Sequence, residues 1–307
     1  VSDLLYVVSS DGGSCISDAV LETRKIIKVA AALKDTQIEV PAKRYGFEFK
    51  GSTQGFAPCG YRRMPEGIIS LSNLNETSKE NGLVINIKAL AAGVSACVSI
   101  PVFIDFSQLV QAYAAIASPT LYSSQTIVIN IKAFAEKNPD FRFYILFYQG
   151  DNSVKRIDGE TFSLQKGLNR CKWRVPDTGG MPIFRLGLEF LAKKKFDGKV
   201  AILDMDWQGA PADFTQRGML MTSIWDLNPH WIASWASSAK QFAPDSKYTY
   251  CISHPDNNGV VTTGTLDWDD YSLESSLSFN LHCKGGLVIR SQGHRRYYAG
   301  IFSHGKK

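Results

Sequence analysis

The chain has 307 residues, 44% of them hydrophobic, with 34 Lys plus Arg against 29 Asp plus Glu. This excludes a disordered tail and fits one large domain or two of ordinary size. The net charge of +5 is spread along the sequence, so no block forms a nucleic-acid footprint, and no apolar run reaches the roughly 18 residues of a membrane-spanning helix.

Position 1 is Val and no secretory leader is visible, as expected of a cut or processed N-terminus. The six cysteines, 15, 59, 97, 171, 251 and 283, contain no CxxC pair. That argues against a zinc knuckle or a disulfide-dense scaffold and favours isolated thiols in a reducing, cytoplasmic compartment.

The spacing predicts a helix over residues 16–34. Ser17 can serve as N-cap, Asp18 and Glu22 sit near the positive end and Lys34 at the negative end, and Val20, Ile27 and Ala31 recur at helical spacing. Residues 35–44, with Pro41, read as a linker, so 1–44 form a helical segment that could be the tail of an upstream domain.

From Tyr45 the period becomes two. Leu83, Ile85 and Ile87 alternate with Val84, Asn86 and Lys88, and Ile127, Ile129 and Ile131 with Val128, Asn130 and Lys132. Phe141, Phe143 and Ile145 come next, then Leu186, Leu188 and Phe190, then 200–207. Short strands separated by turn residues, without helices between them, predict a β-sandwich over 45–213. The single sequon at Asn75 is a match close to chance, and the basic run Lys193-Lys194-Lys195 reads as a solvated turn.

A composition shift at Gly209-Ala-Pro211-Ala-Asp213 precedes Trp225, Trp231 and Trp235 and a second set of strand-like runs at 247–253, 260–265, 272–281, 286–291 and 296–302. Residues 214–307 are few for a whole two-sheet sandwich, so the second unit is expected to be incomplete. The predicted fold is thus mainly β, with tandem jelly-roll or concanavalin-like sandwiches preceded by one short helical segment.

Two clusters could carry chemistry. In Val200-Ala-Ile-Leu-Asp204-Met-Asp206-Trp207, a strand puts Leu203, Met205 and Trp207 on one face and Asp204 and Asp206 on the other. Carboxylates about 7 Å apart along a strand can hold a structural calcium ion with loop carbonyls, or act as an acid and base pair. In the plainest reading, Asp204 caps a turn while the apolar face fills the core.

The second cluster is Asp267-Trp268-Asp269-Asp270-Tyr271, followed by Arg290-Ser-Gln292 and Arg295-Arg296-Tyr297. Flat aromatic faces suit the C–H surfaces of sugars, and planar carboxylate, amide and guanidinium groups suit their hydroxyls. Trp268, Tyr271, Arg290, Gln292, Arg295 and Tyr297 are the candidate ligand-binding residues, against the alternative that Trp268 and Tyr271 are core aromatics. The candidate catalytic residues are Asp204, Asp206 and Asp269. The histidines at 230, 254, 282, 294 and 304 have no ligand spacing, and there is no GxSxG, HExxH, P-loop or GxGxxG.

Three motifs carry a resemblance. Ser118-Pro-Thr-Leu-Tyr122-Ser-Ser-Gln125, Trp173-Arg-Val-Pro176-Asp-Thr178 and Leu203-Asp-Met-Asp-Trp207-Gln-Gly-Ala-Pro211 are similar to a β-sandwich module on the C-terminal side of microbial ADP-ribosylglycohydrolase-family proteins. The stretch from Thr263 to Tyr271, with 286–293 and 296–298, resembles laminin-G-like sandwiches of sugar-acting proteins. The metal-binding aspartate motifs of the hydrolase family are not present, so its activity is not carried over. The resemblance implies a non-catalytic glycan-binding accessory module that works beside an upstream or partner hydrolase domain, or beside another chain completing the second sandwich. Two alternatives stand beside it. One is a β-sandwich glycoside hydrolase or lyase that uses Asp204 or Asp206 with an acid from 267–270. The other is a protein-interaction module built on Trp225, Trp231, Trp235 and Arg295-Arg296.

Overall fold

Alternating sequences become sheets when a second alternating surface is available to bury their apolar faces. In the computed structural model the described residues are 5–9, 25–30, 46–59, 67–74, 80–107, 118–213, 229–245, 249–254, 259–265, 268, 271–277, 284–292 and 296–303. Strands β1 (Leu5–Ser9) and β2 (Lys25–Ala30) come first. They are followed by β3 (Ala57–Pro58), β4 (Ile69–Asn73), β5 (Leu83–Leu90), β6 (Ser95–Pro101) and β7 (Thr126–Ala133). Next are β8 (Asp140–Tyr148), β9 (Val154–Ser163), β10 (Gly167–Arg174), β11 (Ile183–Leu191) and β12 (Phe196–Gln208). A 3-10 turn at His230–Ser234 leads to β13 (Ala236–Ser237), β14 (Gln241–Asp245) and β15 (Thr249–Ser253). The last four are β16 (Gly259–Thr262), β17 (Ser272–Leu277), β18 (Lys284–Gln292) and β19 (Arg296–Ser303).

Two five-stranded antiparallel sheets form a sandwich: a first sheet in the order β10-β7-β12-β5-β4 and a second in the order β3-β6-β11-β8-β9. Their facing sides share one core, to which the first sheet contributes Leu83, Ile85, Ile87, Ile127, Ile129 and Ile131. Phe141, Phe143, Leu186, Leu188 and Phe190 enter it from the second sheet, as the period-two reading predicts. Phe143 stacks on Trp173 of the opposite sheet, with centroids 5.7 Å apart and planes 7° apart. Each such buried side chain contributes about 1.5–3 kcal/mol.

Strand β12 departs from simple alternation. Its register with β7 shifts between Ile202 and Asp204, so Val200 and Ile202 point inward before the irregularity and Met205 and Trp207 after it. Leu203, expected to share the inner face with Met205 and Trp207, is instead only half-buried. Bulges of this kind re-aim everything downstream of them.

The expected helix over 16–34 is corrected where it is described. Residues 25–30 form β2, paired antiparallel with β17 from Lys25↔Leu277 to Ala30↔Ser272. Ile26, Ile27 and Val29 are β-branched, which costs rotamer freedom in a helix and suits a strand, and β17 supplies the backbone partners that local spacing cannot reveal. Residues 16–24 and 31–44 lie outside the described residues. The N-terminal strands are also built into the C-terminal part of the chain rather than standing apart from it. β1 lies between β16 and β18 in a third sheet, ordered β13-β16-β1-β18-β19.

The outer face of the second sheet is itself buried. Tyr144, Leu146, Tyr148 and Phe184 cluster there with Cys59, Cys97 and Phe103. Glu189, fully buried, accepts from Ser95 Oγ at 2.7 Å, Arg142 Nε at 2.7 Å and an Arg156 guanidinium nitrogen at 2.5 Å. Arg156 also lies over the Tyr144 ring, 4.0 Å from its centroid. Beside this network Arg185 donates to Ser99 Oγ at 3.0 Å and pairs with Asp105. Burial alone raises the Glu189 carboxyl, but the Ser95 and Arg142 hydrogen bonds and the charges of Arg156 and Arg142 bring it below the usual carboxylate range.

Two predictions follow from this face. A Cβ on Gly187 would stand 1.9 Å from Tyr144 Cζ, so Gly187→Ala should lower stability by about 3 kcal/mol, read from the urea midpoint at unchanged slope. Glu189→Gln leaves Arg142 and Arg156 with Asp158 as their remaining carboxylate and should cost about 2 kcal/mol near neutrality. Because the folded-state pKa is depressed, the stabilisation by Glu189 is present above the unfolded value of about 4.3 and is lost as pH falls through the folded value. The variant should lack that acid limb in unfolding measured across pH 2–7, taken as roughly the span of carboxylate titration.

Candidate functional site

Arg174, Thr126 and Gln208 form one row of the first sheet, through the pairs Arg174↔Thr126 and Gln208↔Thr126. The loop entering β7 and the loops leaving β10 and β12 therefore emerge side by side at one end of the sandwich. These loops hold the three motifs 118–125, 173–178 and 203–211.

Buried Gln125 ties them together. Its Oε1 accepts from Tyr122 N–H at 2.9 Å, its Nε2 donates to Gly209 O at 3.2 Å, and its carbonyl accepts from Val175 N–H at 2.9 Å. Trp207 Nε1 donates to Thr120 O at 2.7 Å and Ala212 N–H to Ser123 O at 2.9 Å. Ser123 Oγ accepts from Thr178 N–H at 3.1 Å and lies 3.0 Å from Thr178 Oγ1. Ser124 and Gly209 have φ of 70° and 101°, left-handed turn conformations that let the chain reverse here.

The C-terminal part of the chain closes over these loops. Tyr122 OH lies 3.2 Å from Thr263 Oγ1 and accepts from Gly264 N–H at 3.1 Å, and Thr263 Oγ1 donates to Ser234 O at 3.2 Å. Burial pushes the Tyr122 phenol up to about 12, against the opposing hydrogen bonds from Thr263 and Gly264, so it stays a neutral hydroxyl at physiological pH. Between the two parts lies a narrow cleft with a cavity volume of about 20 Å³, lined by Tyr122, Ser123, Asp177, Asp213, Trp235 and Thr263 among others. Asp177 and Asp213 are exposed at the rim. A cavity of this size admits about one water, so a larger ligand would bear on the exposed carboxylates at its rim.

Of the residues expected from sequence, Trp268, Tyr271 and Arg290 come together. Trp268 is buried, edge-on to Tyr122 at 5.4 Å and to Tyr271 at 6.4 Å, and the Tyr271 hydroxyl accepts from Arg290 N–H at 3.0 Å. This places the indole behind the cleft wall, packed against Tyr122, rather than as an open stacking platform. Arg290 has φ of 51°, beside the irregularity between Ile289 and Gln292. Gln292 and Tyr297 lie on β18 and β19. Arg295, Asp269 and the neighbouring Asp267 and Asp270 lie outside the described residues, as do Asn75 and Trp225.

Asp204 is exposed on the first sheet, where Asn130 Nδ2 donates to its two oxygens at 2.9 and 3.0 Å. Asp206 Oδ1 accepts from Trp207 N–H at 2.7 Å. Among the described residues no three His, Cys, Asp or Glu side chains gather where they could hold a metal ion. Trp231 and Trp235 are buried in a cluster with Ile252 and Val261, inside the molecule rather than on an interaction surface. Tyr122, Ser123 and Thr178 belong to motifs visible in the sequence, but only the fold makes them one wall of a site. Thr263 was quoted only as the start of another motif.

No protein-family model and no curated protein matches the chain. Among solved structures it is similar to a carbohydrate-binding module of the β-sandwich superfamily, 12% identical over 51% of this chain and 58% of that one, with a TM-score of 0.37. It is also similar to the C-terminal family 22 carbohydrate-binding module of Clostridium thermocellum Xyn10B, 9% identical over 53% and 91% of the two chains, TM-score 0.35. A third is the family 11 module of Clostridium thermocellum in complex with a β-1,3-1,4-mixed-linked tetrasaccharide, 14% identical over 56% and 100%, TM-score 0.33.

Tyr122→Phe removes the hydroxyl that joins the two sides of the cleft. It should destabilise the protein by about 1–2 kcal/mol and speed amide exchange at Gly264, measured by hydrogen–deuterium exchange, while β7 and β12 remain protected.

Proposed function

We propose that this chain is a non-catalytic glycan-binding accessory module of a glycohydrolase-type protein, and that the rim of the cleft between the sandwich and the C-terminal strands receives its ligand. The observation that carries this reading is the cleft's composition. The exposed carboxylates of Asp177 and Asp213 stand beside half-buried Tyr122 and Ser123, groups suited to sugar hydroxyls. Support also comes from the motifs at 118–125, 173–178 and 203–211, whose resemblance to modules of ADP-ribosylglycohydrolase-family proteins rests on loops that all border this one cleft. In such a protein the module would hold an associated hydrolase near its substrate, raising local concentration without new chemistry.

A glycan array covering neutral and acidic oligosaccharides should show retention on at least one, and titration with that oligosaccharide should show about tenfold weaker binding by Asp213→Ala. That loss corresponds to about 1.4 kcal/mol, the size of a hydrogen bond to a charged group. Absence of retention on every glycan would overturn the reading.

A further inference from the structure

Cys59 and Cys97 are far apart in sequence but stand opposite each other in the fold. The edge strand β3 pairs with β6 through Ala57↔Ser99 and Pro58↔Val98, and the next position brings Cys59 against Cys97, with Cys59 N–H donating to Cys97 O at 2.9 Å. Both side chains lie on the outer face of the second sheet. Cys59 Sγ is 2.9 Å from Tyr144 OH. Directly opposed residues in a hydrogen-bonded antiparallel pair have Cα atoms about 5.5 Å apart, within the roughly 4.4–6.8 Å that a disulfide spans. By contrast, Cys171 stands opposite Ile129 and Cys251 opposite Ala243.

We propose that Cys59 and Cys97 join as a cross-strand disulfide when the chain folds in the presence of a low-molecular-weight disulfide such as oxidised glutathione. The thiolate of one cysteine attacks that disulfide, forming a mixed disulfide and releasing one glutathione thiolate. The second cysteine, as its thiolate, attacks the protein sulfur of the mixed disulfide and displaces the other glutathione. Two cysteine thiols are oxidised, one glutathione disulfide is reduced to two thiols, and the two cysteine protons pass to the released thiolates. Timing follows from burial. Both residues are at most 5% exposed, and the Cys59 hydrogen bond and burial raise the Cys97 thiol well above its ordinary value. Exchange therefore belongs to the folding chain, and the folded protein keeps whichever state it acquired.

The test is synthesis of the whole chain in a cell-free system buffered with oxidised and reduced glutathione. Soluble protein is trapped with N-ethylmaleimide and mapped as peptides without reduction. The expected result is a peptide pair joined through Cys59 and Cys97, a mass about 2 Da lower than that of the dithiol, and Cys171 recovered as an alkylated thiol. Protein first folded with dithiothreitol and then moved to the same glutathione buffer should form the link at least about tenfold more slowly. Recovery of Cys59 and Cys97 as separately alkylated or glutathionylated peptides from soluble protein made under oxidising conditions would overturn the proposal. So would Cys59 joined to a different cysteine.

Discussion

The long strands of the two sheets present side chains to a single gap between them, and that demand sets the geometry of everything else. Ile127, Ile129 and Ile131 from one side meet Phe141, Phe143 and Phe190 from the other, so a slip of one residue in β7 would turn a complete row of apolar side chains outward. The irregularity in β12 works within this constraint. It changes which parity faces inward, seating Met205 and Trp207 in the core, and the Trp207 indole then reaches the loop before β7 through Thr120. The packing of the core and the placement of the cleft loops are thus consequences of the same register.

The outer surface of the second sheet has a different physical character. Burying Glu189 among Ser95, Arg142 and Arg156 gains little net stability over an apolar core, because desolvation offsets most of the attraction. What it does provide is position. The arginine that satisfies Glu189 also covers Tyr144, and Tyr144 fits against β11 because residue 187 is glycine. Cys59 is held against the same tyrosine, so polar and thiol groups form one continuous patch.

Much of the sandwich was legible from period-two alternation, because a strand with one apolar face shows that face in its own residues. Residues 83–87, 127–131, 141–145 and 186–190 are examples. The segment 25–30 was misread because Ile26, Ile27 and Ala30 fit a helical spacing equally well, and only pairing with residues 272–277 decides the matter. The facing of Leu203 was misjudged because a bulge leaves no mark in a single strand's pattern. Candidate site residues were partly legible. Trp268, Tyr271 and Arg290 do meet, but the cleft draws on Tyr122, Thr178 and Thr263, whose juxtaposition depends on three loops leaving one end of a sheet. The opposition of Cys59 and Cys97 is likewise a property of pairing and invisible in their spacing.

The place of β1 has a consequence for how the molecule assembles. Leu5–Ser9 is flanked by β16 on one side and β18 on the other, so a strand near the start of the sequence becomes an interior member of a sheet whose other strands come from its far end. The third sheet therefore cannot close during synthesis until residues 284–292 of β18 have been made. Until β16 and β18 emerge, β1 presents unsatisfied backbone groups along both its edges, the kind of edge that invites pairing with another chain. The entropic cost of bringing such distant segments together grows only slowly with length, but the delay is long. Shielding of that early strand during synthesis, more than final stability, would then govern how much of the protein reaches its folded form.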